Sequence, residues 1–174
     1  DDDTPVLHDI SLHVASGQHV ALVGPSGSGK TTIARLIARL TDPTLGRVHI
    51  GGVSLTDVAN DELRRRLIVV PQEPFLFANT IEYNLQFADP HATSQSMFDS
   101  FAELGLSDWL ESLPLGLQTH VGQRGSALSA GERQLVALVR ASIVKPDVLV
   151  LDEATSSVDS LTEVRISRAL ARLA

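Results

Sequence analysis

The 174-residue sequence contains no cysteine, which excludes a disulfide framework and any thiolate metal site and suits a reducing compartment. Basic residues are in the minority, 14 Lys and Arg against 21 Asp and Glu, for a net charge of -7. Phosphate-backbone binding wants a basic face, which a net charge of this sign disfavours, so no nucleic-acid partner is expected. No apolar run approaches the about 18 residues of a membrane-crossing helix, so attachment to a membrane would have to come from elsewhere. The six histidines are scattered without metal-ligand spacing and read as ordinary surface or core residues. Internal repeats and low-complexity segments are also missing.

What remains is an ordinary globular composition, 43% apolar and 20% charged, in a length that suits one domain with a sizeable core. Within it, Gly24-Pro25-Ser26-Gly27-Ser28-Gly29-Lys30-Thr31-Thr32 fits the phosphate-cradling pattern G-x-x-x-x-G-K-[ST] at every fixed position. The flanks fit as well. His19 to Val23 is short, apolar and β-branched like a buried strand, and Ile33 to Leu40 repeats apolar residues at helical spacing. A helix N-terminus offers unpaired N–H groups and the positive end of the helix dipole to an anion. Gly27 and Gly29 permit the φ > 0 angles that turn N–H groups inward. Lys30 is expected to reach the β and γ phosphates of a nucleotide, and the Thr31 hydroxyl to hold Mg²⁺.

The acidic opening Asp1 to Pro5 reads as a solvated turn, and Val6 to His8 and Ile10 to Val14 alternate like two half-buried strands. Further strands are expected at Arg47 to Ile50 and Leu67 to Val70, the second stopped by Pro71. From about Thr80 to Lys145 the pattern is helical, with Met97, Phe98, Phe101 and Leu104 assigned to one core-facing side. Strand character returns at Val148 to Leu151. A last helix starts near Ser160, with Ser160 and Glu163 spaced as a capping box and Ile166, Leu170 and Leu173 on one face. The expected fold class is α/β: a P-loop core with a mainly parallel sheet, N-terminal antiparallel strands and an inserted helical subdomain. Residues 1–78 and 146–174 form the core subdomain in this reading, and 79–145 the helical one.

Two more clusters carry chemistry. The apolar run into Asp152-Glu153 places two carboxylates at the C-terminal end of a buried strand, where ligands bind in doubly wound sheets. Asp152 suits the magnesium and Glu153 suits a base that takes a proton from water, a role worth roughly 10²–10⁴ in rate. Leu128-Ser129-Ala130-Gly131-Glu132-Arg133-Gln134 opens a helix, with Ser129 as N-cap and Glu132 completing the box. Gly131 costs such a helix ~1 kcal/mol against alanine. An anion approaching the backbone closely would account for it.

The order of these motifs resembles that of ABC transporter nucleotide-binding domains over nearly the whole chain. The P-loop is similar to their Walker A, Val69-Val70-Pro71-Gln72 to the Q-loop and Leu128 to Gln134 to the signature. Val148 to Glu153 is similar to Walker B, and Ser156-Ser157-Val158-Asp159 to the D-loop. The resemblance implies MgATP as the bound nucleotide, with Gln72 touching Mg²⁺ and the attacking water and Glu153 acting as catalytic base. It also implies that Ser129, Gly131 and Glu132 meet the nucleotide held by a second such domain, two domains sandwiching two ATP molecules head to tail. The exporter branch is the nearer likeness. Pro74 to Ile81 and Thr119 to Gly125 resemble stretches that exporters set against the cytoplasmic ends of their transmembrane helices. The domain would then work on the cytoplasmic face of the cell membrane beside a transmembrane domain.

Departures are visible. Ala130 stands where the family's signature usually has glycine, Glu132 where it often has glutamine, and His120 where exporters usually carry glutamate. The family also places an adenine-stacking aromatic upstream of a strand like Val6-Leu7, and a γ-phosphate-contacting histidine about thirty residues after Glu153. Neither falls within the sequence, so the expectation is a piece of a longer polypeptide with low activity of its own. Two other readings stay open: an ABC ATPase outside transport, or a half-site that binds ATP without hydrolysing it.

Overall fold

The computed structural model describes residues 6–152 and 158–173, which divide into two compact units, one running to Leu63 and the other Arg64–Leu173. In the first unit, helix α1 (Lys30–Ile37) starts directly on the glycine-rich loop. It begins three residues earlier than the apolar spacing suggested, because Gly29 itself is its N-cap. It ends at Ala38 and Arg39, the latter at φ 50. The Arg39 guanidinium donates to Val58 O at 2.7 Å and so ties the helix end to the segment that follows the hairpin. That hairpin is β1 (His49–Ile50) and β2 (Val53–Ser54), antiparallel. Gly51 and Gly52 turn it with φ of 58 and 81, the two positive angles that a two-residue turn matched to strand twist requires.

The strands expected at 6–8, 10–14 and 19–23 are not found: these residues join no ladder among those described. Val6, Ile10, Leu12, Val14, Val20, Leu22 and Val23 are all exposed. Alternation encodes a face suited to burial, but a strand exists only through its backbone partner, so propensity is overridden where no partner pairs. Leu7 does find a contact, against Gly29.

Helix α2 (Asn60–Arg66) leads into the second unit with Asp61 and Glu62 in its first turn and Arg64, Arg65 and Arg66 in its last. That charge order complements the helix dipole. Next come β3 (Leu67–Val70), α3 (Ile81–Gln86), α4 (Ser94–Leu104) and α5 (Ser107–Ser112). They are followed by α6 (Ala130–Val144), β4 (Val148–Leu151) and α7 (Ser160–Leu173). Strands β3 and β4 pair in parallel, Leu67 with Val148 through Val70 with Leu151, on the residues the apolar runs marked. Arg66 closes the start of the pair with a 2.6 Å bond to Asp147.

Around α6 lies the core of this unit. Leu76, Ile81, Leu85, Met97, Phe101, Leu104, Trp109, Leu135, Leu138 and Ile166 are at most 1% exposed. Burying each such side chain stabilises by about 1.5–3 kcal/mol. Two expectations need correction here. Phe98 is 48% exposed, because Met97, Phe101 and Leu104 repeat at i, i+4 and i+7 while Phe98 lies about 100° round the helix from Met97. The cap of α7 is Asp159 rather than Ser160: its Oδ1 accepts from Thr162 N–H at 3.0 Å. Asp is as good an N-cap as Ser, and the register of α7 chooses between them.

Candidate nucleotide site

Residues Gly24, Pro25, Ser26, Gly27 and Ser28 form an exposed loop closed by a Ser28 N–H to Pro25 O bond of 3.2 Å. Gly27 and Gly29 take φ of 80 and 88, angles that L side chains rarely adopt. At Gly29 a Cβ would also lie 2.5 Å from Leu7 Cδ2. The glycine therefore serves both the turn into α1 and the packing behind it. Lys30 Nζ donates to Gly24 O at 2.8 Å and Pro25 O at 2.9 Å, bracing the loop across its mouth. Thr31 is exposed in the first turn of α1 and Thr32 half-buried beside it. Backbone N–H groups of that turn have no partner within the helix. A cation, a helix N-terminus and a free hydroxyl converge there, the donor set for an anion with its accompanying hard cation.

In the second unit the β3–β4 register brings two further expected residues to one end of the pair. Val70 faces Leu151, and Asp152 N–H donates to Val70 O at 3.0 Å. Gln72, two residues beyond β3, and half-buried Asp152, one beyond β4, thus leave the sheet at the same carboxyl edge. Glu153, Ser156 and Ser157 lie outside the described residues. Among those described, no group of three or more His, Cys, Asp or Glu is placed to hold a metal ion. Magnesium retains water and is usually bound through one or two carboxylates plus substrate phosphates, so it needs no such cage.

The start of α6 has the expected capping box. Glu132 N–H donates to Ser129 Oγ at 3.2 Å, and Ser129 N–H donates to Glu132 Oε2 at 2.8 Å. The other carboxylate oxygen accepts from Trp109 Nε1–H at 3.2 Å. Both oxygens of Glu132 are therefore held by N–H donors of its own chain, and the indole that holds one of them is almost fully buried. Trp109 was invisible to local reasoning, since it lies 23 residues away from Glu132.

Gly131 also receives a different explanation from the one its position suggested. A Cβ there would meet Thr162 Cγ2 at 2.4 Å and Val158 Cγ1 at 2.6 Å. Close packing of the α7 start against α6 accounts for the missing side chain without any ligand. Asp159, capping α7 beside this contact, has its carboxyl held below the usual range by the Thr162 backbone N–H.

The two stretches likened to exporter contact segments lie side by side. Thr80 and His120 form an antiparallel bridge, Ile81 N–H donates to Thr119 O at 3.0 Å and Val121 N–H to Asn79 O at 3.0 Å. Next to them is an aromatic cluster. Phe77 is half-buried and contacts Phe75 edge-on at 5.2 Å, Phe87 at 4.3 Å and Tyr83 at 6.3 Å between ring centroids. Phe75, Tyr83 and Phe87 are exposed. Four of the chain's seven Phe, Tyr and Trp residues thus gather at one place, three of them exposed.

The glycine-turned loop running into α1 and, in the second unit, the parallel strand pair are each elements of the P-loop α/β class. Comparison with known proteins narrows this. Residues 7–156 match the profile of the ABC transporter family. The mitochondrial iron-sulfur clusters transporter ABCB7 of Oryzias latipes is 46% identical over 161 residues, 92% of this chain and 22% of that protein. The ATM1-type heavy metal exporter of Novosphingobium aromaticivorans is 43% identical over 163 residues, 94% of this chain and 27% of that protein. A solved bacterial Atm1-family ABC exporter with ATP bound superposes with a TM-score of 0.87 at 41% identity, over 98% of this chain and 30% of that one. The chain belongs to the ABC transporter family. It spans between 22% and 30% of the length of these relatives.

Proposed function

We propose that the chain is the ATP-binding and ATP-hydrolysing motor domain of an ABC exporter, which couples MgATP-driven head-to-tail dimerisation to transport across a membrane. The observation that carries this reading is the braced, glycine-turned loop at Gly24–Lys30 in a chain that matches exporters over more than nine-tenths of its length. Residues 24–32 bind the phosphates. Thr31, Gln72 and Asp152 serve Mg²⁺, which neutralises charge on the phosphate oxygens when bound. Glu153 takes the proton from the attacking water, and Gln72 orients that water. Ser129 and Gly131 meet the γ-phosphate of the nucleotide held by a second nucleotide-binding domain, while Glu132 keeps that helix end in shape. Residues 79–145 act as the helical subdomain, with 1–78 and 146–174 as the ATP-binding core.

The aromatic cluster is the docking surface for the transmembrane domain, which keeps the chain at the cytoplasmic face of the membrane. No helix among the described residues is long and apolar enough to cross a membrane itself. In the transporter that carries this chain, Glu153→Gln is expected to lower MgATP hydrolysis at least 100-fold, the range a lost general base commands. ATP binding should persist, with accumulation of an ATP-bound dimer by size-exclusion chromatography. Loss of ATP binding would show that Glu153 does other work.

A further inference from the structure

Arg140 projects from α6, and each of its three donor nitrogens is used on one target. Nε donates to Asn84 O at 2.9 Å, Nη1 to Phe75 O at 2.8 Å, and Nη2 to the Asn84 side-chain oxygen. Asn84 is fully buried and closes the same loop on itself. Its amide donates to Phe77 O at 3.0 Å and Thr80 O at 2.9 Å, and its oxygen accepts from Phe77 N–H at 2.8 Å. Every bond of this guanidinium therefore ends on the segment that presents Phe75 and Phe77 or on α3, which presents Tyr83 and Phe87.

Core packing alone does not ask for this residue. Arg140 has no acidic partner among the described residues, and burial lowers its pKa to about 10. Arg140 is only partly buried, and a cation drawn even part-way out of water without a counter-ion is costly unless hydrogen bonds compensate it. A planar fork that reaches three oxygens at fixed angles is something arginine supplies and lysine does not. At its other end α6 carries Ser129 and Gly131, ten residues or roughly 15 Å of unbroken helix away at 1.5 Å per residue.

We infer that Arg140 is a positioning residue that fixes the partner-facing aromatic surface to α6, so that movement at that surface shifts the Ser129–Gly131 end of the helix as one body. This rests on the reading of the aromatic cluster as a docking surface and of that helix end as nucleotide-facing. It adds a residue, outside the nucleotide-contacting motifs, on which coupling depends.

The test uses the transporter that carries this chain in lipid vesicles, comparing wild type with Arg140→Lys. Three readouts are taken: basal MgATP hydrolysis, amide hydrogen exchange over residues 75–87, and protection of the membrane domain from trypsin on adding MgATP with vanadate. In Arg140→Lys, hydrolysis is expected to stay within threefold of wild type, exchange over 75–87 to rise at least tenfold, and ATP-induced protection to fall at least fivefold. Full ATP-induced protection in Arg140→Lys overturns the inference and leaves the proposed function standing. Absence of any such protection in wild type overturns the docking reading first. A loss of protection only in proportion to a lower melting temperature means a structural role and also overturns it. If Arg140→Lys does not fold, Arg140→Gln, which keeps a single amide donor in place of the three-nitrogen fork and leaves every bond of Asn84 to Phe77 and Thr80 intact, takes its place. It should give the same pattern, and full protection there likewise overturns the inference.

Discussion

The glycine-rich loop with α1 and the α6-centred unit solve opposite problems. Helix α1 has no fully buried side chain, and its loop is held by a turn, two positive-φ glycines and one ammonium on two carbonyls. Helix α6 buries nine of its residues, is capped by a reciprocal box and is clasped by Arg140. One region leaves a helix N-terminus open to something that arrives, while α6 turns most of its own length inward. Substitutions should accordingly cost binding in the first and stability in the second.

The largest effect is expected at Lys30. Lys30→Ala should weaken MgATP binding by tenfold or more, since a charge-assisted hydrogen bond is worth about 1.5–3 kcal/mol. Unfolding stability should change by less than about 1 kcal/mol in a denaturant titration. A stability loss matching the binding loss would erase the contrast. Next comes Gly131→Ala, whose new methyl meets Thr162 Cγ2 and Val158 Cγ1. Overpacking of this kind costs about 1–3 kcal/mol. Thr162→Ser removes only the nearer methyl and should restore part of the loss in the double variant. Native stability in Gly131→Ala combined with lost nucleotide response would instead assign the glycine to ligand approach.

The smallest effect is the surface pair Asp108–Arg165 at 3.0 Å. The Arg165 hydrogen bond lowers the Asp108 pKa, so its stabilisation is present above the ordinary carboxylate value of about 3.9 and is lost as pH falls through the lowered one. Asp108→Asn should therefore be less stable than wild type by under about 1 kcal/mol at neutral pH, and the difference should shrink as pH falls below the ordinary carboxylate range. A difference that grew on acidification would reverse the assignment.

Legibility in the sequence followed the range of the interaction. Strands β3 and β4, the α6 capping box and the phosphate loop are written in runs of a few residues, and each is found where the run lies. The segments 6–8 and 10–14 alternate and 19–23 is an apolar run, yet none joins a ladder among the described residues, because such patterns report one segment's faces and not whether two backbones meet. Phe98 was misplaced by a single residue of helical phase. Glu132 with Trp109, Gly131 with Thr162 and Arg140 with Asn84 connect residues too far apart for any local pattern to join. The glycine-turned loop into α1 was legible because it is a local device. The contacts that hold α6 in place were not.

The brace at Lys30 has a consequence for interpreting variants. The same ammonium that would greet a phosphate already spans the loop's own carbonyls, so removing it withdraws a charge and unties a ring together. Lysine there is scaffold and ligand contact at once. A mutant protein that fails to bind ATP has lost its receptacle as well as its attraction, and only a cation of different shape, such as arginine, separates the two.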